Sequence, residues 1–238
     1  MKLYNFRGLG GLPTKGDQEI KPGLVFRTGN VAHWSDKAAE HVAGEHGVKL
    51  YIDLRTPEEV KKFGRPEALI RQGVEWLSLS INTSDPTFEK LRLPKANDWI
   101  ALYQRIFEKN LQSWSQFAKT VSGANEPILY GCLFGKDRTG IATSLLLNML
   151  EVKDGHIAAD YAKTTHEIQP LSDLFQHLLN NNGANKAEIF EHYSRSHEQV
   201  ILEFLEYIRA HPEEHEIGKE LVDIAKKFRE PLKTRLLR

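Results

Sequence analysis

One stretch near the middle of the chain constrains the fold more than any other. It opens with an apolar, strand-like run at residues 127–130, continues as the loop GCLFGKDRTG, and ends in an apolar, helix-like run at residues 141–150. A buried strand, a short loop and a buried helix in this order are typical of an α/β sheet that binds ligands at the carboxyl ends of its strands. The loop carries Cys132, the only cysteine of the 238 residues.

The start of the helix gives this loop an affinity for anions. The first turn of a helix has backbone N–H groups without helical partners and carries the positive end of the helix dipole. Arg138 adds a planar guanidinium that can bind two oxygens of a phosphate or sulfate at once. The residues predicted to surround the anion are Leu133, Phe134, Gly135, Lys136, Asp137 and Arg138.

The same positive field favours the thiolate form of Cys132, which is the nucleophilic form. A thiolate beneath a bound phosphate ester predicts in-line attack on phosphorus, a phosphocysteine intermediate and then hydrolysis. Thr139 is predicted to donate a hydrogen bond to the sulfur as it leaves in the second step. The competing interpretation is a buried structural cysteine followed by a solvated turn, and the complete loop with its strand and helix argues against it.

The loop resembles HCxxGKDRTG, the signature of cysteine-dependent protein tyrosine phosphatases. It is most similar to the bacterial tyrosine and lipid phosphatases whose N-terminal motif reads NFRDLGG. Three further stretches agree in the same order, namely NFRGLGG at residues 5–11, PGLVFRTG at 22–29 and IDLR at 52–55. Gly131 replaces the family's histidine and Gly8 its aspartate. Because that histidine helps to hold the loop and activate the thiol, the resemblance implies a slower enzyme. Gly131→His is expected to raise the rate or to shift its pH optimum downward.

Hydrolysis needs an acid that protonates the leaving alcohol or phenol. Asp137 is the first candidate, because it lies within the loop and the resembled family has an aspartate there that is regarded as an acid. The alternative is that Asp137 only holds the loop amides. Asp53, in the IDLR match, is the second candidate, with a local ion pair or helix cap as an equal alternative. Asp85 and Asp98 are reserve candidates in or beside the polar segment 82–97, and ordinary turn roles are favoured for both.

Three functions follow from these residues. The first is a phosphatase for phosphotyrosine and other phosphomonoesters. The second is a phosphoinositide phosphatase. Lys136 is predicted to add a positive charge at the rim of the loop, and in the resembled family a lysine at this position accompanies activity on phosphoinositides. The third is a pseudophosphatase that binds phosphate with weak chemistry, which Gly131 favours. A rhodanese-like sulfur transferase also uses a loop cysteine, but the continuation GKDRTG argues against it. The expected partners are a phosphorylated protein or phospholipid, with phosphate, sulfate or vanadate in the loop.

Composition excludes several other classes. The charges of the 32 basic and 32 acidic residues cancel, and a net charge of zero does not favour a surface that binds nucleic acids. No apolar run approaches the length of a membrane span, and the N-terminus lacks the apolar core of a signal peptide. One cysteine cannot form an internal disulfide, and a reactive thiol suits a reducing compartment. The expected location is therefore cytoplasmic, or secreted without a recognisable signal peptide.

The predicted chemistry needs neither a cofactor nor a metal. His211 and His215 are four residues apart among acidic neighbours, and His192 and His197 form a looser pair. No cysteine ligand accompanies them, and Pro212 disturbs the geometry of the first pair. A solvated charged face is the favoured interpretation of these histidines.

The pattern of apolar residues predicts an α/β fold with a central, mostly parallel sheet of about four to five strands flanked by helices, and a helical C-terminal part. We expect one phosphatase domain over 1–238, with a catalytic core at 1–153 and a helical extension packed on it at 154–238. Residues 1–23 are predicted to be irregular. The predicted strands are 24–27, 48–54, 74–81 and 127–130, and the predicted helices are 36–45, 57–63, 99–121, 139–150, 156–165, 170–179, 198–209, 220–228 and 232–237.

Overall fold

The computed structural model describes residues 3–89, 94–168, 193–210 and 216–238. A five-stranded sheet with the order β1-β2-β5-β3-β4 lies at its centre. The strands are β1 (Arg7–Gly8), β2 (Val25–Thr28), β3 (Leu50–Asp53), β4 (Glu75–Ser78) and β5 (Ile128–Gly131). Strands β2, β5, β3 and β4 are parallel, and β1 joins β2 antiparallel. The predicted, mostly parallel α/β sheet is therefore confirmed, while β1 lies in a stretch predicted to be irregular.

Strand β5 is the central strand of the sheet. It pairs with β2 on one side and with β3 on the other, and all four of its residues are buried. A continuous buried run is expected for a parallel strand that is covered on both faces. Gly131 lies level with Thr28 of β2 and Asp53 of β3. Cys132 therefore leaves the sheet at the carboxyl edge shared by three strands.

Helices cover both faces of the sheet. In chain order they are α1 (Asp36–Glu40), which continues into a π-helical turn (His41–Glu45), α2 (Pro57–Phe63), α3 (Glu67–Arg71), α4 (Pro86–Glu89), α5 (Ala96–Lys109), α6 (Leu111–Gly123), α7 (Asp137–Met149), α8 (Asp154–Ile168), α9 (Glu198–Ala210) and α10 (Glu216–Leu236). Among the helices described, none has the length and apolar character needed to cross a membrane. The helix predicted at 170–179 lies outside the described residues.

Three segments differ from the sequence-based prediction. The helix expected at 99–121 is divided into α5 and α6 at Asn110, whose side-chain amide donates to the carbonyls of Ile106 at 2.7 Å and Asn82 at 2.9 Å. The amide side chain thus competes with the backbone bonds that would continue the helix. The loop expected at 82–97 contains α4 and the start of α5, and the two last predicted helices form the single helix α10, which passes through Pro231.

The two faces of the sheet carry separate apolar clusters. Phe26, Tyr51 and Leu129 pack towards α1 and α3, whereas alternate residues such as Ile52 and Tyr130 pack on the other face with side chains of α5 to α10. This alternation follows from the period of two in a strand. Helices α8, α9 and α10 thus share one core with the residues before 154. The single-domain organisation stays a prediction, which this shared core supports.

Candidate active site

Cys132 follows β5 directly, and only 3% of the residue is exposed. Thr139 lies in the first turn of α7, is fully buried, and donates its hydroxyl hydrogen to Cys132 Sγ at 3.2 Å. A hydroxyl donor at this distance stabilises negative charge on sulfur. The strand and the helix therefore deliver the two groups to each other from opposite ends of the loop.

The backbone of the loop is turned so that its carbonyl groups point outward. The carbonyl of Leu133 accepts from the backbone N–H of Asn30 at 3.0 Å. The carbonyls of Phe134 and Gly135 accept from the side-chain amide of Asn5 at 3.0 and 2.8 Å. In a trans peptide, the N–H of the next residue points away from the carbonyl. The N–H groups of residues 134–136 therefore face the inside of the loop, as an anion site requires.

Glycine is needed at position 135 for this turn. Gly135 has a φ of +69°, and a Cβ atom there would lie 2.6 Å from the backbone oxygen of Thr28. Both the left-handed backbone and the close approach to β2 exclude a side chain. The same contact with β2 holds the outer side of the loop against the sheet.

Four polar residues lie behind the loop, and we call Asn5, Arg7, Arg27 and Asp160 the rear network; all are buried except Arg7, which is partly buried. Arg27 donates to the Gly135 carbonyl at 2.6 Å and to Asp160 at 2.7 Å. Arg7 donates to the other oxygen of Asp160 at 2.6 Å and also to the side-chain oxygen of Asn5. Asn5 has a left-handed φ of 56°, which asparagine tolerates better than most residues. The N-terminal motif thus acts by holding the loop carbonyls.

Asp160 supplies the only carboxylate of the rear network. Its side chain is 4% exposed and faces two arginines. Burial acts to raise the pKa of Asp160, but Arg27 and Arg7 outweigh that effect, so its pKa is lowered. Asp160 lies on α8, beyond the last motif that the sequence analysis used, so its role was missed.

Arg138 is held in front of the loop by Glu59 of α2. One terminal nitrogen, Nη2, donates to Glu59 Oε1 at 2.6 Å, while Nη1 donates to Oε2 and to the carbonyl of Leu54 at 3.2 Å. These contacts use three of the five guanidinium hydrogens. Among the described residues, the edge formed by Nε and the second Nη2 hydrogen remains for a ligand. That edge matches two oxygens of a tetrahedral anion.

Glu59 is fixed by its own helix terminus. Thr56 caps α2, its hydroxyl accepting from the Glu59 N–H at 3.3 Å, and Glu59 accepts in turn from the Thr56 N–H at 2.8 Å. Burial acts to raise the pKa of Glu59, but the Arg138 guanidinium outweighs it and the pKa is lowered. The sequence analysis missed Glu59, although a threonine followed three residues later by a glutamate is the pattern of a capping box.

Asp137 lies at the first position of α7. Its Oδ1 atom accepts a hydrogen bond from the hydroxyl of Tyr103 at 2.7 Å and lies 3.6 Å from Lys136 Nζ. The side chain is 29% exposed, so it combines a fixed orientation with access to the solvent. The structure places this candidate acid beside Arg138, and its catalytic role stays a prediction.

Lys136 occupies a different place from the one predicted. Its Nζ atom donates to the carbonyl of Tyr193 at 2.6 Å and lies 3.6 Å from the centre of the Trp99 ring. Only 2% of the residue is exposed, and burial lowers the pKa of Lys136 while Asp137 acts to raise it. The sequence predicted a positive charge at the rim of the loop. The ammonium group is instead buried against an aromatic ring, where the cation–π contact compensates part of its lost hydration.

Asp53 forms the local ion pair that was one of its two predicted alternatives. Its two oxygens accept from Arg55 at 2.9 and 2.7 Å, and Oδ2 also accepts from the indole N–H of Trp76 at 3.3 Å. Asp53 and Arg55 are both fully buried. These contacts fit a structural role at the end of β3, and an acid role for Asp53 stays a prediction without support from the geometry.

The two reserve acids also have local partners. Asp85 is buried, pairs with Arg105 of α5 and accepts from the backbone N–H of Thr87 at 3.1 Å. Asp98 accepts from the backbone N–H of Lys95 at 2.7 Å at the start of α5. Both arrangements agree with the turn and cap roles favoured from the sequence.

A cavity of about 270 Å³ opens in front of the loop. Its polar lining consists of Glu59, Lys136, Asp137 and Arg138. The rest of its lining, the mostly apolar wall, consists of Thr83, Trp99, Leu102, Ile106, Leu133, Phe134, Ile168 and Tyr193. The cavity thus combines an anion site with a surface suited to an apolar or aromatic group.

The structure supplies no group of metal ligands in the part of the chain that it describes. His192, His211 and His215 lie outside that part, so the two histidine pairs named from the sequence are not tested. The anion site itself is built from backbone amides and one guanidinium, both of which bind phosphate without a metal.

Gly131 has no room for the histidine that the resembled family carries. A Cβ atom at this position would lie 2.6 Å from the backbone oxygen of Thr28 and 2.8 Å from the Thr28 side chain. The expectation that Gly131→His would raise the rate stays a prediction, and the close approach of β2 argues against it. A larger residue must first displace β2 or β5, and both strands hold the loop.

Comparison with known proteins agrees with this geometry. Residues 1–237 match the family model described as the tyrosine phosphatase family. A protein of Cupriavidus necator named "Putative tyrosine-protein phosphatase" is 28% identical over 170 residues, which cover 68% of this chain and 60% of the relative. A tyrosine-protein phosphatase of Nostoc commune is 27% identical over 153 residues, which cover 63% of this chain and 51% of the relative. The chain thus spans between half and two thirds of these relatives.

Solved structures that match this chain include the catalytic core of Siw14, with a TM-score of 0.49 and 15% identity over 95% of this chain and 93% of that one. Another is TpbA of P. aeruginosa in complex with phosphotyrosine, with a TM-score of 0.30 and 10% identity over 72% of this chain and 86% of that one. The family match covers almost every residue of the chain, including the loop at 132–138 and the N-terminal motif. This protein therefore belongs to the tyrosine phosphatase family.

Proposed function

We propose that this protein hydrolyses phosphotyrosine and other phosphomonoesters through a phosphocysteine intermediate on Cys132. The observation that carries the proposal is the arrangement around the sulfur. Loop carbonyls are held outward, loop amides face inward, and one edge of the Arg138 guanidinium is left for a ligand. A tetrahedral dianion is the ligand that such an arrangement fits best.

In the first step, the Cys132 thiolate attacks phosphorus and the bond from phosphorus to the ester oxygen breaks. The leaving oxygen takes the proton of Asp137. The loop amides and Arg138 bind the three remaining oxygens and stabilise the charge that they share in the transition state. The product of this step is a phosphocysteine with a free phenol or alcohol.

In the second step, a water molecule attacks phosphorus and the sulfur–phosphorus bond breaks. The Asp137 carboxylate accepts a proton from that water, which restores the acid. The sulfur leaves as a thiolate and receives the hydrogen bond of Thr139, whose hydroxyl lies 3.2 Å away. Phosphate then departs and the enzyme is regenerated.

The shape of the cavity favours aryl phosphates. Trp99, Leu102 and Ile106 lie on its apolar wall, which a phenol ring can contact while the phosphate occupies the loop. The phosphoinositide alternative depended on Lys136 as a charge at the rim. The ammonium group is instead buried against Trp99 and bonded to the Tyr193 carbonyl, which weakens that argument.

The catalytic thiol also supports a location. Cys132 acts only while it is reduced, so we propose that the protein works in the cytoplasm rather than after secretion. Fusion of the protein to a redox-sensitive reporter, or fractionation of the native cells, would test this location directly.

A substrate panel tests the proposed activity, with phosphotyrosine peptide, phosphoserine peptide and phosphoinositides as substrates and Cys132→Ser as the blank. We expect turnover of the phosphotyrosine peptide by the wild type and none by Cys132→Ser. The variant should still bind vanadate, because the amides and Arg138 are unchanged. Equal phosphate release by both proteins, or by neither, would refute the proposal.

A further inference from the structure

Two buried tyrosines connect the helical layer to the candidate acid. Tyr103 of α5 donates to Asp137 Oδ1 at 2.7 Å, and the hydroxyls of Tyr103 and Tyr161 lie 2.6 Å apart. Tyr103 is fully buried and Tyr161 is 2% exposed. Their rings meet edge to face, with centroids 6.2 Å apart. The three groups therefore form a continuous chain that runs from α8 through α5 to the loop.

The direction of the hydrogen bonds in this chain follows from the number of donors. A phenol has one hydrogen to donate, and an ionised carboxylate can only accept. Because Tyr103 gives its hydrogen to Asp137, Tyr161 must donate to the oxygen of Tyr103. The order is thus Tyr161 to Tyr103 to Asp137, with the carboxyl group at the accepting end.

Both tyrosines keep their protons over the range in which enzymes work. Burial raises the pKa of Tyr103 well above its ordinary value, and the negative charge of Asp137 raises it further. Burial is also the main cause that raises the pKa of Tyr161. Neither hydroxyl can therefore serve as a base, and each keeps its hydrogen for donation in this range.

We propose that Tyr103 and Tyr161 are positioning residues that aim the proton of Asp137 at the leaving group, an inference that rests on the proposed phosphatase function. When Asp137 is protonated, Oδ1 is the accepting oxygen because it receives the Tyr103 hydrogen. The proton is then favoured on Oδ2, because the carbonyl oxygen of a carboxylic acid is a better acceptor than its hydroxyl oxygen. A carboxyl group fixed in this way transfers its proton from one defined atom, and it does not need to rotate first.

Substrates with different leaving groups distinguish a positioning role of the two tyrosines from a purely structural one. An ester of a good leaving group, such as 4-nitrophenyl phosphate, needs little protonation as its bond to phosphorus breaks. Phenyl phosphate needs an acid, because phenol has a pKa of about 10. A misaligned acid should therefore slow the second substrate much more than the first, whereas a general loss of structure slows both alike.

The variant is Tyr103→Phe, which keeps the ring and removes the hydroxyl, and the value measured is kcat/KM on both substrates. We expect a loss of about tenfold or more on phenyl phosphate and of about twofold or less on 4-nitrophenyl phosphate. Tyr130→Phe is the matched control. Tyr130 is equally buried and bonds to the hydroxyl of Thr143 at 2.7 Å, so the control removes a buried tyrosine hydroxyl that does not contact Asp137.

Equal losses on the two substrates, or a Tyr130→Phe variant with the same selective loss, would overturn the proposal. If Tyr103→Phe fails to fold, Tyr161→Phe decides, because it breaks the chain one residue further away and should give a smaller loss of the same selectivity. A wild type no faster than Cys132→Ser refutes the phosphatase function itself. Normal wild-type turnover with no selectivity change in either variant refutes only the positioning role.

Discussion

An arginine paired with a carboxylate lies on each side of the loop at Cys132, and the two pairs have different roles. Behind the loop, Arg27 and Asp160 are 0% and 4% exposed, and Arg27 also binds a loop carbonyl. In front, Arg138 and Glu59 are 7% and 22% exposed, and the guanidinium keeps one edge for a ligand. The rear pair fixes the course of the main chain, and the front pair fixes the direction of one side chain.

This difference predicts separate consequences for stability and for activity. A buried arginine that loses its carboxylate is a charge without compensation, which is costly wherever it lies. Removal of the rear carboxylate leaves the buried Arg27 and the partly buried Arg7 in this state, and Arg27 loses the partner that holds it against the loop carbonyl. Removal of the front charge leaves Arg138 bonded to the Leu54 carbonyl at the open cavity, so the fold should survive while the binding geometry is lost.

The largest expected effect is on the rear side. Asp160→Ala should lower the free energy of unfolding by about 3–5 kcal/mol, because it leaves the fully buried Arg27 and the partly buried Arg7 without a counter-charge. Chemical denaturation measures this value. Asp154→Ala, at the start of the same helix, removes a carboxylate that is 35% exposed and paired with Arg209. That control should cost about 1 kcal/mol or less, and equal losses would show that the rear network does not hold the fold.

The pH dependence of stability gives a second measurement on the same variant. The folded-state pKa of Asp160 is lowered, since the two arginines outweigh the effect of burial. Its contribution is therefore complete above the unfolded-state pKa of about 3.9 and is lost as the pH falls through the lower folded value. The difference in stability between wild type and Asp160→Ala should shrink below about pH 4. A difference that grows on acidification would mean that Asp160 is not ionised in the fold.

On the front side, Glu59→Gln should reduce kcat/KM by about tenfold to a hundredfold, equivalent to roughly 1.5–3 kcal/mol for a hydrogen bond to a charged group. Glutamine can still accept at the Thr56 cap, so α2 should remain intact. Assays on a phosphotyrosine peptide and thermal unfolding measure the two properties.

Glu58→Gln is the matched control for this change, since Glu58 is the exposed neighbour of Glu59 on the same helix. It should leave turnover unchanged. Comparable activities of the two variants would show that Arg138 holds its orientation without Glu59. A large loss of stability in Glu59→Gln alone would show that the front pair supports the fold, which would remove the contrast between the two sides.

The sequence was sufficient for the parts of the molecule that local patterns determine. Continuous apolar runs predicted the parallel strands, and the loop with its following helix predicted the position of Cys132 at the carboxyl edge of β5. These features depend on neighbours within a few residues. The break at Asn110 was missed because it depends on a side chain that bonds to a segment 28 residues away.

The rest of the site could not be read from local patterns because its contacts join distant residues. Asn5 bonds to carbonyls about 130 residues along the chain, and Arg27 meets Asp160 across 133 residues. Lys136 shows the converse problem. A lysine in a polar loop is normally exposed, and only the packing of Trp99 and Tyr193 reveals that it is buried. Glu59 alone had a local signal, its capping box. That pattern predicts the bond from Glu59 to the Thr56 N–H, but it does not predict the ion pair with Arg138.

The smallest expected effect concerns the boundary between the two sides, at the end of β5. Gly131→Ala places a Cβ atom 2.6 Å from the Thr28 oxygen of β2, so the strand must shift at the residue before Cys132. We expect a loss of about 1–3 kcal/mol in the free energy of unfolding and a lower kcat/KM, with Gly131→His losing more than Gly131→Ala. Gly123→Ala is the matched control, because a Cβ atom there meets nothing within 4 Å. A variant Gly131→Ala with wild-type stability and rate would show that the strand adjusts freely, and would support the expectation that histidine at this position activates the thiol.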